Sequence, residues 1–316
     1  MVKRQPQTSD LNPEPSNPQP ATRNPQPSEC VISGRTQIVG VIGWPIEHSV
    51  SPAMHNAAFR ALGLDWCYLP FAVPPAHVAD ALAGVRGLGL RGINVTVPHK
   101  QAVSALVDEL TPEARAIGAV NTVLVRGERL IGHNTDAAGF LRALREAGFA
   151  PEGCSALVLG AGGAARAAVY ALARVGARVV LLNRTPQRAD ALVSDLRAVV
   201  KGARLEAGGL DAQTAQQEAS RCHLVVNATS LGMWPQVETS PWPEEVAFPA
   251  GVLLFDLVYN PRQTRLVRLA RESGARAVDG LRMLVHQGAE AFALWTGAAP
   301  PVEIMYAACA AILGGR

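Results

Sequence analysis

Twice along this chain, short apolar or β-branched runs alternate with stretches of helical periodicity. That double alternation confines the fold to two α/β units in series. In the first series "QIVGVIG" (37–43), "WCYLPFAV" (66–73) and "GINVTV" (92–97) read as strands, with helical patterns at about 51–62 and 75–88 between them. Strand, helix and parallel strand form the βαβ unit, so a mainly parallel sheet covered by helices is expected. "NTVLVRGERLIGHN" (121–134) reads as a hairpin turning at Gly127. A helix over 137–148 leads into the second series, with strands "SALVLG" (155–160), "RVVLLNR" (178–184), "LVVNAT" (224–229) and "VLLFDLVY" (252–259). Two such sheets imply two domains with a cleft between them. The stretch beyond residue 280 is helical, and periodicity alone leaves open which domain it joins.

With 316 residues and 48% hydrophobic content, the chain can fill a core in each unit. No apolar run approaches the ~20 residues of a membrane helix, so a soluble protein without a membrane partner is expected. The net charge of +3, without a basic block interleaved with aromatics, argues against a nucleic-acid partner. Cys30, Cys67, Cys154, Cys222 and Cys309 are scattered singly, which points to reduced thiols in a cytoplasmic protein and to no metal site. Residues 1–36, rich in Pro, Gln, Asn and Ser, read as a disordered tail. They lack the apolar stretch of a secretory signal and carry Asp10, Glu14 and Glu29, unlike a transit peptide.

"VLGAGGAARAAVYALARVG" (158–176) follows a strand and opens a helix, with Gly160, Gly162 and Ala165 in a G-x-G-x-x-A pattern. The first glycine permits a tight turn and the second lets backbone approach a pyrophosphate. The small third residue lets helix pack on strand. The helix N-terminus then offers free N–H groups to phosphate. The next strand ends in "LLNRTPQR", with no carboxylate for a ribose 2′-hydroxyl; Arg184 and Arg188 can instead clamp a 2′-phosphate. NADP is therefore expected over NAD. A plainer reading, Thr185 as N-cap before Pro186, accounts for the threonine but not the arginines.

In the first unit, Asn94 and Thr96 share one face of a strand, opposite Ile93, Val95 and Val97. Ligands of open α/β sheets bind at the carboxyl ends of strands, where these polar groups lie. Lys100 follows at once, one of only three lysines among 29 basic residues. Arginine holds its proton at any accessible pH, whereas lysine can exchange one. Ser51 before Pro52 reads as an ordinary helix cap; Ser49 has no such explanation, and two hydroxyls beside a helix N-terminus suit a carboxylate ligand. His48 and His55 lack partner carboxylates at metal-ligand spacing and read as structural. Asp136 competes between a site role and a helix N-cap.

The ordered series "GWPIEHSVSPAMHNAAF", "NVTVPHK", "GAVNTV", "HNTDAAGF", "GAGGAARA", "NRT", "NATSLGM", "DLVYNP" and "GLRMLVHQGAEAFALWTG" resembles the motifs of the shikimate dehydrogenase family over essentially residues 37–316. The resemblance implies reversible NADPH-dependent reduction of 3-dehydroshikimate to shikimate, a step toward chorismate and the aromatic amino acids. It matches Lys100 and Asp136 to the catalytic pair. Ser49, Ser51, Asn94, Thr96, Asn121, Tyr259 and Gln287 match substrate-binding positions. Gly160, Ala161, Gly162, Gly163, Ala164, Asn183, Arg184, Thr185 and Arg188 match the cofactor site, with Met233 and Gly280 near the nicotinamide. It also implies that the C-terminal helices return to the first domain. The domains are then 37–136 plus 281–316 for substrate and 137–280, Rossmann-like, for NADP, in a monomer or homodimer. The chain departs from the family pattern at Ala137, often glycine, and at Ala293, often glutamate. Two other readings compete: a relative with broader use of quinate or NAD, and a non-catalytic sensor of NADP and shikimate-like ligands.

Overall fold

The computed structural model describes residues 1–2 and 32–314, so most of the expected tail, with Cys30, lies outside the described residues. The first lobe begins with β1 (Gln37–Gly43), α1 (Ser51–Ala61) and β2 (Trp66–Ala72). It continues through α2 (Val78–Gly87), β3 (Gly92–Val95), α3 (Lys100–Ser104), β4 (Glu109–Leu110) and α4 (Pro112–Ile117). The hairpin β5 (Thr122–Arg126) and β6 (Arg129–His133) completes the sheet, turning at Gly127, whose φ of +62° suits glycine. The strand order is β2-β1-β3-β5-β6-β4. β1 runs parallel to β2 and β3, and β4 parallel to β6, while β5 is antiparallel to both its neighbours.

Strand β3 stops at Val95, two residues short of the expected end. Thr96 N still donates to Ile42 O, but Pro98 has no N–H to extend a ladder, and the chain turns so that His99 N donates to Thr96 O.

Helix α5 (Asp136–Glu146) carries the chain into the second lobe. There β7 (Ser155–Leu159), α6 (Gly163–Arg174), β8 (Arg178–Asn183), α7 (Pro186–Val199) and β9 (Arg204–Gly209) build one half. α8 (Ala212–Ala219), β10 (Leu224–Asn227), β11 (Leu253–Asp256), α9 (Arg265–Glu272) and β12 (Arg276–Val278) build the other. The sheet is parallel throughout, in the order β12-β11-β10-β7-β8-β9. The chain winds outward from β7 and then resumes beside it at β10. That reversal is the switch point where open α/β sheets take ligands. β10 and β11 are buried at every residue, as expected of strands covered on both faces.

The last two helices, α10 (Leu281–Thr296) and α11 (Val302–Gly314), return to the first lobe. Leu281, Val285, Phe292, Met305 and Cys309 share a core with Val39, Val41, Met54, Phe59 and Tyr68. Truncating Phe292 there would cost roughly 3–5 kcal/mol. Helices α5 and α10 pack backbone to backbone: a Cβ on Gly139 would lie 2.8 Å from the amide nitrogen of Gln287. Phe140 and Leu144 of α5 and Met283 of α10 are buried in the core of the second lobe, so this pair belongs to both. Among the described residues, no helix is long and apolar enough to cross a membrane.

Candidate active site

Lys100 opens α3 after a turn secured by His99, whose buried Nε2 donates to Val73 O at 2.7 Å. The lysine's own carbonyl accepts from Val120 N, which holds its backbone in place. Its Nζ donates to Asp136 Oδ2 at 2.6 Å, with the two side chains 14% and 4% exposed. Asp136 Oδ1 accepts from Asn121 Nδ2 at 2.9 Å. Asp136 is the first residue of α5 and not its cap. Asn134 Oδ1 takes the free amides of Asp136 and Ala137, at 3.1 and 3.4 Å, which leaves both carboxylate oxygens for side chains. In so buried a pair, removing one partner strands the other's charge at a cost of about 3–5 kcal/mol.

Behind the pair lies a buried amide network. Asn121 Nδ2 also reaches Thr135 Oγ1 and Gln287 Oε1, at 2.9 and 3.1 Å, while its Oδ1 accepts from Thr135 N at 2.7 Å. Asn94 Nδ2 donates to Asn121 O and Thr122 Oγ1, and its Oδ1 accepts from the Tyr68 hydroxyl at 2.7 Å. Burial pushes the Tyr68 hydroxyl well above its usual range, opposed by a hydrogen bond with the Ser51 side chain. The network thus runs from Ser51 through Tyr68, Asn94 and Asn121 to Asp136 and Lys100. It spans three strands of the first sheet and the bridging helices. Thr96, beyond the end of β3, lies beside it, its methyl packed where a Cβ on Gly43 would stand.

The expected capping role of Ser51 does not hold. Ser51 is already helical, with Val50 at the cap position, so it does not cap α1. Ser49 Oγ instead accepts from Ser51 N at 3.3 Å, because a side chain two residues upstream reaches that amide and Ser51's own cannot. Ser49 also hydrogen-bonds Tyr259, whose hydroxyl is pushed up to about 12 by burial. Tyr68, Thr122, Asn134 and Thr135 escaped sequence reading. Only Asn134, two residues before Asp136, carried a local signal, that of a side chain turning back on its own backbone.

Across the cleft, Gly160 has φ +101°, and a Cβ on it would meet Thr229 Cγ2 at 2.8 Å. Gly162 faces open space in extended backbone, and α6 begins at Gly163, flanked by partly exposed Ala161 and Ala164. A Cβ on Gly163 would stand 3.0 Å from Lys100 Cβ, so the glycine loop and the lysine touch across the lobes. At the end of β8, Asn183 Nδ2 donates to Thr185 O, and Thr185 occupies the N-cap position of α7 without a side-chain capping bond. Its β-region backbone and Pro186 supply the cap geometry alone. Arg184 and Arg188 are exposed, and among the described residues neither forms an ion pair. Met233 is partly exposed on the loop after β10. Gly280 precedes α10 so closely beneath Leu257 that a Cβ would fall 2.2 Å from its carbonyl oxygen. A bare helix N-terminus, backbone without Cβ atoms and two unpaired guanidiniums fit a dinucleotide carrying a 2′-phosphate. The lobes also meet at the cleft mouth, where Trp234 Nε1 donates to His48 Nε2 at 2.7 Å.

Three family models match in order: "Shikimate dehydrogenase substrate binding domain" over residues 41–123, "Shikimate / quinate 5-dehydrogenase" over 143–233 and "Shikimate 5'-dehydrogenase C-terminal domain" over 280–309. The chain is 48% identical to the shikimate dehydrogenase (NADP(+)) of Symbiobacterium thermophilum, over 90% of this chain and 97% of that protein. A crystal structure of a shikimate dehydrogenase in complex with NADP+ superposes with a TM-score of 0.82 at 36% identity, covering 90% of this chain and 98% of the other. The Thermus thermophilus enzyme, in complex with NADP(H) and shikimate, superposes with a TM-score of 0.76 at 43% identity, covering 86% and 98%. With its two lobes, its glycine loop and its buried lysine–aspartate pair in this setting, the chain belongs to the shikimate dehydrogenase family.

Proposed function

We propose that this chain reduces 3-dehydroshikimate to shikimate reversibly with NADPH, with Lys100 as the proton-transfer residue. The observation that carries the reading is the 2.6 Å Lys100–Asp136 pair, whose lysine stem rests on Gly163 of the glycine loop. Any substrate reaching Nζ therefore lies beside the cofactor's place. The first lobe with α10 and α11 is the substrate domain, and the second lobe is the NADP domain.

NADPH, when bound, supplies the hydride for the substrate's carbonyl carbon. As the C–O π pair moves onto oxygen, Lys100 Nζ gives that oxygen a proton and becomes neutral, and oxidation reverses the transfer. Asp136 fixes Nζ through Oδ2, Asn121 holds the carboxylate through Oδ1, and Asn134 holds the backbone of Asp136. Ser49, Ser51, Asn94, Thr96, Asn121, Tyr259 and Gln287 form the polar wall that receives the acid's carboxylate and hydroxyls. Arg184 and Arg188 take the 2′-phosphate. The scattered cysteines fit a cytoplasmic enzyme, acting as a monomer or homodimer.

The test follows NADPH formation from shikimate, then repeats it with quinate and with NAD. Turnover with shikimate and NADP is expected; its absence under every condition would favour a non-catalytic sensor, and comparable turnover with quinate or NAD the broader enzyme. K100A and K100R should both lose on the order of 100-fold or more in kcat with shikimate affinity largely kept, because arginine supplies charge but no proton. Near-native kcat in either variant would remove Lys100 from the proton transfer.

A further inference from the structure

Asp256 ends β11 with no exposed surface, and among the described residues no lysine or arginine forms an ion pair with it. Its charge is met by three hydrogen-bond donors from three different places. Oδ1 accepts from Asn227 Nδ2 at 2.8 Å and from Val258 N at 3.0 Å, and Oδ2 accepts from Thr264 Oγ1 at 2.6 Å. A carboxylate so deeply buried is costly unless its partners are held in place, so such a network is rigid.

Each donor continues into a loop. Asn227 Oδ1 accepts from Thr229 N and Thr229 Oγ1, at 3.0 and 2.8 Å, and Thr229 Oγ1 accepts from Leu231 N at 3.1 Å. That relay shapes the segment leading to Met233. Val258 N sets the backbone just before Tyr259, and Val258 O accepts from Gly280 N at 3.0 Å. Thr264 caps α9 through Val267 N, and its Cβ packs 3.2 Å from where a Cβ on Gly232 would stand. Trp234 N donates to Asn260 O, tying the two loops directly.

We propose that Asp256 is a positioning residue for the reaction: one buried anchor holds the loop of Met233 and the loop of Tyr259 in a fixed mutual position. It reaches neither ligand itself. The inference rests on the function proposed above, which puts Tyr259 in the substrate wall, together with the expectation that Met233 lies near the nicotinamide. Without the anchor the Trp234–Asn260 backbone bond is left to hold the two loops together at the cleft, their inner ends shift, and hydride donor and carbonyl meet out of line. Misplacement of this kind costs on the order of 10- to 100-fold in kcat.

The test compares D256N, T229V and the double variant. D256N keeps the size of the side chain and reverses the polarity facing Thr264, while T229V cuts the relay to Leu231. Three quantities are measured: kcat with shikimate and NADP, the thermal midpoint, and the affinity for adenosine 2′,5′-bisphosphate, a probe of the Arg184/Arg188 end alone. Each single variant should lose on the order of 10-fold or more in kcat while probe affinity stays within about twofold. The double variant should be no worse than the worse single, because both act through one chain of bonds. Native kcat in either single, full additivity, or a loss of probe affinity parallel to kcat overturns the proposal. Should D256N not fold, T229V decides by the same thresholds. A wild-type enzyme that fails to oxidise shikimate refutes the proposed function instead, whereas active wild type with active variants refutes only the role of Asp256.

Discussion

His55 makes a quantitative prediction about acid stability. It sits on α1 with no exposed surface, stacked on Tyr68 at 4.3 Å between centroids and flanked by Phe59, Phe292 and Trp295. Neither ring nitrogen has a hydrogen-bond partner. Burial alone pushes its pKa from 6.5 down to about 3. The unfolded chain therefore takes up this proton first. The stability it contributes is complete above about 6.5 and drains away as pH falls toward 3. At about pH 5, one and a half pH units at about 1.4 kcal/mol each come to about 2 kcal/mol. Asp256 works in the opposite sense: burial pushes its carboxyl from 3.8 up to about 6, so protonation near pH 5 favours the folded state by about 1.4 kcal/mol. Wild-type stability alone would hide the histidine, but its difference from H55F does not, because Asp256 is common to both. Denaturant unfolding at about pH 7 and about pH 5 should show that difference moving by about 2 kcal/mol in favour of H55F at the lower pH. A difference constant within about 0.5 kcal/mol between the two would refute the neutral buried imidazole.

Other substitutions separate binding from chemistry. G163A places a methyl against the lysine stem at the first residue of α6, so kcat should fall several-fold, while alanine's helix propensity keeps stability unchanged or raises it by up to about 1 kcal/mol, read as a thermal midpoint that does not fall. On the proposed clamping of the 2′-phosphate, R184A and R188A each remove a charge-assisted bond worth roughly 1.5–3 kcal/mol, so KM for NADP should rise on the order of 10- to 100-fold while KM for NAD changes little. W234F deletes the donor to His48 at the cleft mouth; a bond of about 0.5–1.5 kcal/mol predicts a rise of about 2- to 10-fold in KM for shikimate with an unchanged thermal midpoint.

What could be read from the sequence was what local physics decides. The glycine loop, the two strand series and the hairpin at Gly127 each declare themselves within a few residues. The strands β4 and β12, two and three residues long, are too short for any periodicity to register. Ser51 does not cap α1 as the sequence suggested, because a cap depends on the angle at which the chain enters the helix, which neighbouring residues do not specify. The bonds behind Lys100 join residues far apart in sequence, such as Tyr68 to Asn94 and Asn121 to Gln287, and no local pattern marks them. Asp256 was hidden for the same reason: an aspartate closing a strand looks like a turn residue until its three donors are seen.

The return of α10 and α11 to the first lobe has a consequence for biosynthesis. The second lobe is inserted within the first, so its own core, Met283 of α10 aside, is in the chain before the first lobe's is closed. Residues from Leu281 to Cys309 fill the core around Val39, Met54 and Tyr68, and they leave the ribosome after the strands of the second lobe. The prediction is that the second lobe folds during synthesis while the first waits open, since domains form as units during synthesis. A chain stopped after Gly280, before α10, should show it: limited proteolysis would spare 150–279 and digest 37–133, and equal resistance of both would contradict this order of assembly.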